Sequence, residues 1–120
     1  MKQRLLYCIA AVLWAGVIFL LSHIPDLATD LPSSFDLILR KGAHTVEYAI
    51  LAVLVYRAVG TRYALWLTVL ICTLYAASDE WHQTFVGGRK GSPLDMAIDG
   101  IGIVLGTVIA YRTHKSPWQR

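Results

Sequence analysis

All eight acidic residues of the chain, Asp26, Asp30, Asp36, Glu47, Asp79, Glu80, Asp95 and Asp99, fall in or beside two of the gaps between four apolar stretches. A chain with its carboxylates confined in this way places them at one end of its helices and leaves the rest apolar. It is 56% hydrophobic and 16% charged over 120 residues, with a mean hydropathy of +0.52, more apolar than a soluble domain of this length needs to fill one core. The sequence reads as an integral membrane protein with one polar site at one membrane face.

The four stretches cover about 5–21, 42–59, 62–78, its helix continuing so that the span is 62–83, and 95–111, each stretch near the short limit of the roughly 17 to 25 residues that cross about 30 Å of hydrocarbon. The expected fold is all-α: an integral membrane four-helix bundle forming a single domain over 1–120. A soluble all-helical protein is the competing reading, disfavoured because the first stretch holds no charge and the fourth none after Asp99. Lys2, Gln3 and Arg4 ahead of an apolar run also suit a secretory signal peptide, but Leu21-Ser22-His23-Ile24-Pro25 has no small-x-small cleavage pattern and further spans follow.

Basic residues set the expected orientation. Four spans put both termini on one side with Lys2, Arg4, Arg57, Arg62, Arg112, Lys115 and Arg120, leaving Arg40, Lys41, Arg89 and Lys90 on the other. Seven against four predicts cytoplasmic termini and outward-facing acidic gaps. The basic residues sit at helix ends without a patch or binding fold, so the net charge of +3 predicts no nucleic-acid partner. Cys8 and Cys72 lie inside apolar spans and imply no disulfide framework.

The first outer gap, 22–41, carries Pro25, Pro32, Ser33 and Ser34 before Phe35, Leu37, Ile38 and Leu39, which suits a short interfacial helix. The second centres on Gly87-Gly88-Arg89-Lys90-Gly91-Ser92-Pro93, a turn. The inner connection, Gly60-Thr61, predicts a tight antiparallel helix pair.

Spacing then nominates site residues. His44, Glu47 and Tyr48 share one helix face at i, i+3 and i+4, and Glu47 precedes an apolar run, so its carboxylate needs a buried partner or a proton. On the third span a continued helix places Asp79 or Glu80 with Gln83, the two acids pointing about 100° apart toward different partners. Asp95 and Asp99 follow Pro93 at i and i+4 near a helix N-terminus, where Asp95 also serves as a simple cap. Arg89 is the natural counter-charge, able to hold a carboxylate or phosphate bidentately. Each has an ordinary reading beside it: an interfacial histidine or tyrosine, a solvated helix end for Asp79, Glu80 and His82, a charged loop residue for Arg89. Gly102 and Gly106 have small-xxx-small spacing, read first as packing within the bundle.

Taken together, His44-Thr45-Val46-Glu47-Tyr48, Asp79-Glu80-Trp81-His82-Gln83-Thr84-Phe85, Gly88-Arg89-Lys90-Gly91-Ser92-Pro93-Leu94-Asp95 and Asp99-Gly100-Ile101-Gly102 resemble the VanZ-like family of bacterial membrane proteins. The resemblance covers nearly the whole chain, with Gly87 standing where many relatives have proline. It implies a multi-pass protein of the bacterial cytoplasmic membrane whose namesake lowers susceptibility to the glycopeptide teicoplanin.

Two functions follow as expectations. A small membrane enzyme would use His44, Glu47, Asp79, Glu80, Asp95 and Asp99 as acids and bases, with Tyr48, Gln83 and Arg89 holding a lipid or lipid-linked cell-wall precursor. A non-catalytic binding or scaffold protein of the envelope would use the same cluster without bond chemistry. A transporter is disfavoured by the apolar span centres, and a purely stabilising ion network is the fourth reading. No cofactor is expected: hard oxygen donors suit a divalent cation, but no HExxH or comparable ligand spacing is present. The sequence leaves catalysis, substrate identity and a homodimeric state open.

Overall fold

The computed structural model describes residues 1–23, 33–85 and 93–114, and of Ser33, Ser34, Asp36 and Leu37 the backbone alone. The described residues form four helices and no strand: α1 (Lys2–His23), α2 (Ser33–Val59), α3 (Ala64–Gln83) and α4 (Pro93–Thr113). Local chemistry sets several ends. The α1 helix stops two residues short of Pro25, whose ring disfavours helical geometry in the residue before it. Pro93 opens α4, where its fixed φ suits a first helical position and its missing N–H costs nothing.

The connection between α2 and α3 is as tight as expected. Gly60 lies at φ +52, left-handed geometry that favours glycine, and its N–H still donates to Tyr56 O at 3.2 Å. Arg4 caps the same helix end by donating from its guanidinium to the Ala58 and Val59 carbonyls, which have no partner inside the helix. Alanine at Gly60 is expected to cost about 1–2 kcal/mol through its φ alone, and its Cβ would also lie 3.0 Å from the Arg4 side chain. Unfolding of the two proteins in the same detergent measures the difference.

At 27 residues α2 is about 40 Å long and overruns the apolar stretch predicted for it. Phe35, Ile38 and Leu39 are not set off as a separate helix; they occupy the opening turns of α2. Arg40 and Lys41 are good helix formers, and Gly42 alone does not break the run.

The α2 helix is the centre of the fold. It packs along all three others, α3 also meets α4, and among the described residues α1 and α4 do not touch. The seam between α2 and α4 is the closest, because a Cβ at Gly102 would collide with the Thr45 carbonyl and one at Gly106 with the Ala49 carbonyl. The glycine spacing therefore packs within the chain.

The surface is apolar, and the interior mixes apolar residues, Ile18, Leu51 and Ile103 among them, with polar ones. Ser22, Thr68, Asp79, Glu80, Gln83, Asp99 and Thr107 are buried, whereas Leu6, Val12, Leu13, Leu20, Trp66, Leu74, Ile101 and Val104 lie exposed along the helices. Water would penalise such a surface heavily, and lipid does not. Two of the helices, α1 and α4, are long and apolar enough to cross a membrane.

Candidate functional site

Five of the seven buried polar residues, Ser22, Asp79, Glu80, Gln83 and Asp99, gather where α1 and α3 end and α4 begins. Ser22 sits on the last turn of α1 and Gln83 on the last of α3. The anchor is Asp79, 3% exposed, whose Oδ2 accepts hydrogen bonds from Ser22 Oγ at 3.0 Å, Tyr48 OH at 3.0 Å and Gln83 Nε2 at 3.3 Å. Gln83 Nε2 also lies 3.4 Å from Ser22 Oγ. One carboxylate oxygen thus ties α1, α2 and α3 together. Its other oxygen, Oδ1, is buried without a hydrogen-bond partner.

The second half of the site is built from α2 and α4. His44 Nδ1 lies 3.6 Å from Asp99 Oδ1 and 3.8 Å from Glu47 Oε2, so an imidazole stands between a carboxyl of its own helix and one of the neighbouring helix. Asp99 is 1% exposed, and its Oδ2, like Asp79 Oδ1, is buried with no hydrogen-bond partner. Lys41 pairs with Asp95 at 3.8 Å where both are partly exposed, forming the rim.

The expected divergence of the two adjacent acids on α3 is what the structure contains. Asp79 turns toward Ser22 and Tyr48, while Glu80, also buried, acts on Asp99 across the α3–α4 contact. Asp79, Glu80, Asp95 and Glu47 are all close enough to act electrostatically on Asp99. Buried carboxylates at this density need protons or counter-charge. Among the described residues no three of His, Cys, Asp and Glu come together as a metal-binding group.

Of the residues nominated by spacing, His44, Glu47, Tyr48, Asp79, Glu80, Gln83, Asp95 and Asp99 therefore converge on one end of the fold. Arg89, Lys90, Asp26 and Asp30 lie outside the described residues. His82 stands apart, stacked on Phe19 with ring centroids 4.3 Å apart and with its Nε2 3.4 Å from His23 Nδ1, where it joins α3 to α1. Ser22 escaped the sequence reading, its only signal being a hydroxyl at the end of an apolar run. Tyr48 is wholly buried and spent on Asp79, and so braces the site.

A family model described as VanZ/LLP1 matches residues 6–114. The chain belongs to the VanZ-like family. The match runs from the first turns of α1 to the end of α4 and takes in every site residue described above, as the four sequence blocks led one to expect. No curated protein and no solved structure matches the chain. For this VanZ-like protein the arrangement offers two chemical capacities. The His44 imidazole, within ion-pair range of Glu47 and Asp99, can carry a proton that balances their charge, and the oxygens of Asp79 and Asp99 that lack a protein donor can accept a hydrogen bond from a ligand.

Proposed function

We propose that this VanZ-like protein is a four-span protein of the bacterial cytoplasmic membrane with cytoplasmic termini, whose buried acidic site opens at the outer leaflet and there binds or acts on the headgroup of a lipid or lipid-linked envelope precursor. The observation that carries the proposal is Asp79, a carboxylate buried among three helices with one oxygen fully engaged and the other unclaimed. An ionisable group at that depth is expensive in a bilayer and marks a functional site. The apolar exterior supports lipid as the surrounding medium, and seven basic residues against four support the orientation.

In this reading Ser22, Tyr48 and Gln83 hold Asp79 in place, and the His44, Glu47 and Asp99 group takes or delivers a proton as the headgroup binds or reacts. Glu80 adds negative potential, and Arg89 supplies a counter-charge to an anionic headgroup. An effect on teicoplanin susceptibility would follow from the altered envelope lipid. The same site also serves a binding protein or scaffold that performs no bond chemistry.

Orientation is tested with single cysteines in a background lacking Cys8 and Cys72. A cysteine at Thr84 is expected to react with an impermeant maleimide in intact cells and one at Thr113 only after lysis; the reverse would place the site inside. Function is tested by profiling lipids and cell-wall precursors in cells without the protein, with wild type, and with Glu47→Gln at equal abundance. A species that accumulates at least several-fold in both the null and the variant supports chemistry at the site. Altered drug response with unchanged pools supports binding, and no change in either sinks the proposal.

A further inference from the structure

Among the described residues, the end of the fold opposite the acidic site carries basic charge alone: Lys2 and Arg4 on α1, Arg57 near the end of α2, Arg62 in the turn to α3 and Arg112 at the end of α4. Two of these cations share one seam. Arg4 reaches from α1 to the Ala58 and Val59 carbonyls of α2. Arg57 reaches back from α2, donating from Nη1 to the Tyr7 hydroxyl at 2.9 Å, with its guanidinium carbon 5.4 Å from the centre of the Tyr7 ring. Tyr7 follows Arg4 at i+3 on α1 and Arg57 immediately precedes Ala58, so both guanidinium groups are held where α1 crosses the end of α2.

The acceptors these two arginines use are neutral, two carbonyls and a phenol, and a guanidinium is held about twice as strongly by an oxyanion. Arg57 is half-buried; its Nε is buried with no acceptor, and its Nη2, also without one among the described residues, stays open to the surface. No described carboxylate pairs with Arg4 or Arg57. Two like charges confined between the same helices repel, and a partly buried cation at the edge of hydrocarbon is costly without a counter-ion. The balancing charge is left to an anion from outside the chain.

The level of the seam selects the anion. Tyr63 and Trp66, exposed at the start of α3 beside this end, suit the membrane–water boundary. Arg57 stands three residues before Gly60, about 5 Å deeper along the helix. Lipid phosphates lie at that boundary, and a guanidinium fork matches two phosphate oxygens. A zwitterionic lipid brings its own cation to its phosphate, whereas an anionic one leaves the phosphate to the protein.

We propose that the α1–α2 seam binds the phosphate of one anionic phospholipid, of the phosphatidylglycerol kind, between Arg4 and Arg57. The site is separate from the acidic one, since Arg57 lies nine residues, about 14 Å, along α2 from Tyr48. It does not rest on the headgroup reading of Asp79, and it holds whichever leaflet this end faces.

The test uses purified wild type, Arg57→Gln, Arg57→Lys, Arg112→Gln and Asp79→Asn. Each is reconstituted in phosphatidylcholine vesicles with a minority of phosphatidylglycerol, re-extracted in mild detergent, and its retained lipid is counted by native mass spectrometry. Wild type is expected to keep one phosphatidylglycerol, enriched at least several-fold over phosphatidylcholine. Arg57→Gln is expected to fall to the phosphatidylcholine level, and Arg57→Lys, which keeps the charge and loses the fork, to lie between. Arg112→Gln, on a helix that does not touch α1 among the described residues, and Asp79→Asn, at the other site, are expected to match wild type. Melting in phosphatidylcholine alone shows which variants are folded, and Arg57→Lys carries the test where glutamine does not fold. Equal retention of both lipids by wild type overturns the proposal, as does undiminished phosphatidylglycerol in both Arg57 variants. An equal loss in Arg112→Gln would make the effect one of net charge and overturns it too. Loss with Asp79→Asn alone would place the lipid at the acidic site, and displacement by inorganic phosphate would make the seam a site for a soluble anion; either result overturns the lipid assignment.

Discussion

Valine at Gly106 is expected to leave little folded protein in the membrane. The Cβ of residue 106 would land on the Ala49 carbonyl, and one turn away Gly102 faces the Thr45 carbonyl in the same way, so the α2–α4 seam rests on backbone against backbone. A clash with a flexible side chain relaxes by rotation, but a peptide carbonyl inside a helix cannot move without its helix. Overpacking of ordinary cores costs about 1–3 kcal/mol, and a clash with fixed backbone belongs at or above the top of that range, against a total stability of about 5–15 kcal/mol. The damage would spread to function, since separating α2 from α4 pulls His44 away from Asp99. Gly106→Ala is expected to be milder in the same direction, and Gly100→Ala, with nothing within 4 Å of its Cβ, to cost nothing or to stabilise slightly through helix propensity. Membrane abundance and melting in detergent measure all three; a Gly106→Val protein that melts like wild type would show that the helices are not so closely apposed.

Asparagine at Asp79 is expected to preserve the fold and abolish function. The amide oxygen can still accept from Ser22 Oγ and Tyr48 OH, so the junction of three helices survives. What is lost is the negative charge and the second acceptor, Oδ1, the atom left available to a ligand. Activity or ligand retention is expected to fall at least tenfold, with a melting temperature close to wild type. Asp79→Ala would instead leave the Ser22, Tyr48 and Gln83 donors without their acceptor. Such losses are worth about 0.6 kcal/mol each between membrane helices and about 1–3 kcal/mol when a buried group is left unsatisfied, so this variant is expected to lose stability as well. A large stability loss with asparagine, and function retained in the protein that does fold, would make Asp79 a structural fastening only.

Much of this arrangement can be read from spacing, because helical periodicity fixes which side chains share a face. His44, Glu47 and Tyr48 do lie together on α2, and the angle between Asp79 and Glu80 sends them to different helices. Periodicity carries no information about which helices are neighbours. For that reason Asp79 and Tyr48 could be nominated separately, yet their bond could not, and Ser22 was invisible because only its partners make it polar site rather than helix end. The opening turns of α2 were separated from it in the sequence because Arg40 and Lys41 end the apolar pattern, although charge interrupts hydropathy without interrupting a helix. The glycines of α4 were legible as a packing surface, while the identity of the opposing carbonyls depends on the register between helices.

The central claim, that the acidic site engages a lipid headgroup, is tested most directly with purified wild type and Asp79→Asn in vesicles of total bacterial membrane lipid supplemented with lipid-linked cell-wall precursor. After incubation, mass spectrometry compares the lipids in the vesicles and those retained by the re-extracted protein. The account predicts that wild type converts or retains one lipid class and that Asp79→Asn, equally folded, does neither. Identical lipid in both samples would contradict it.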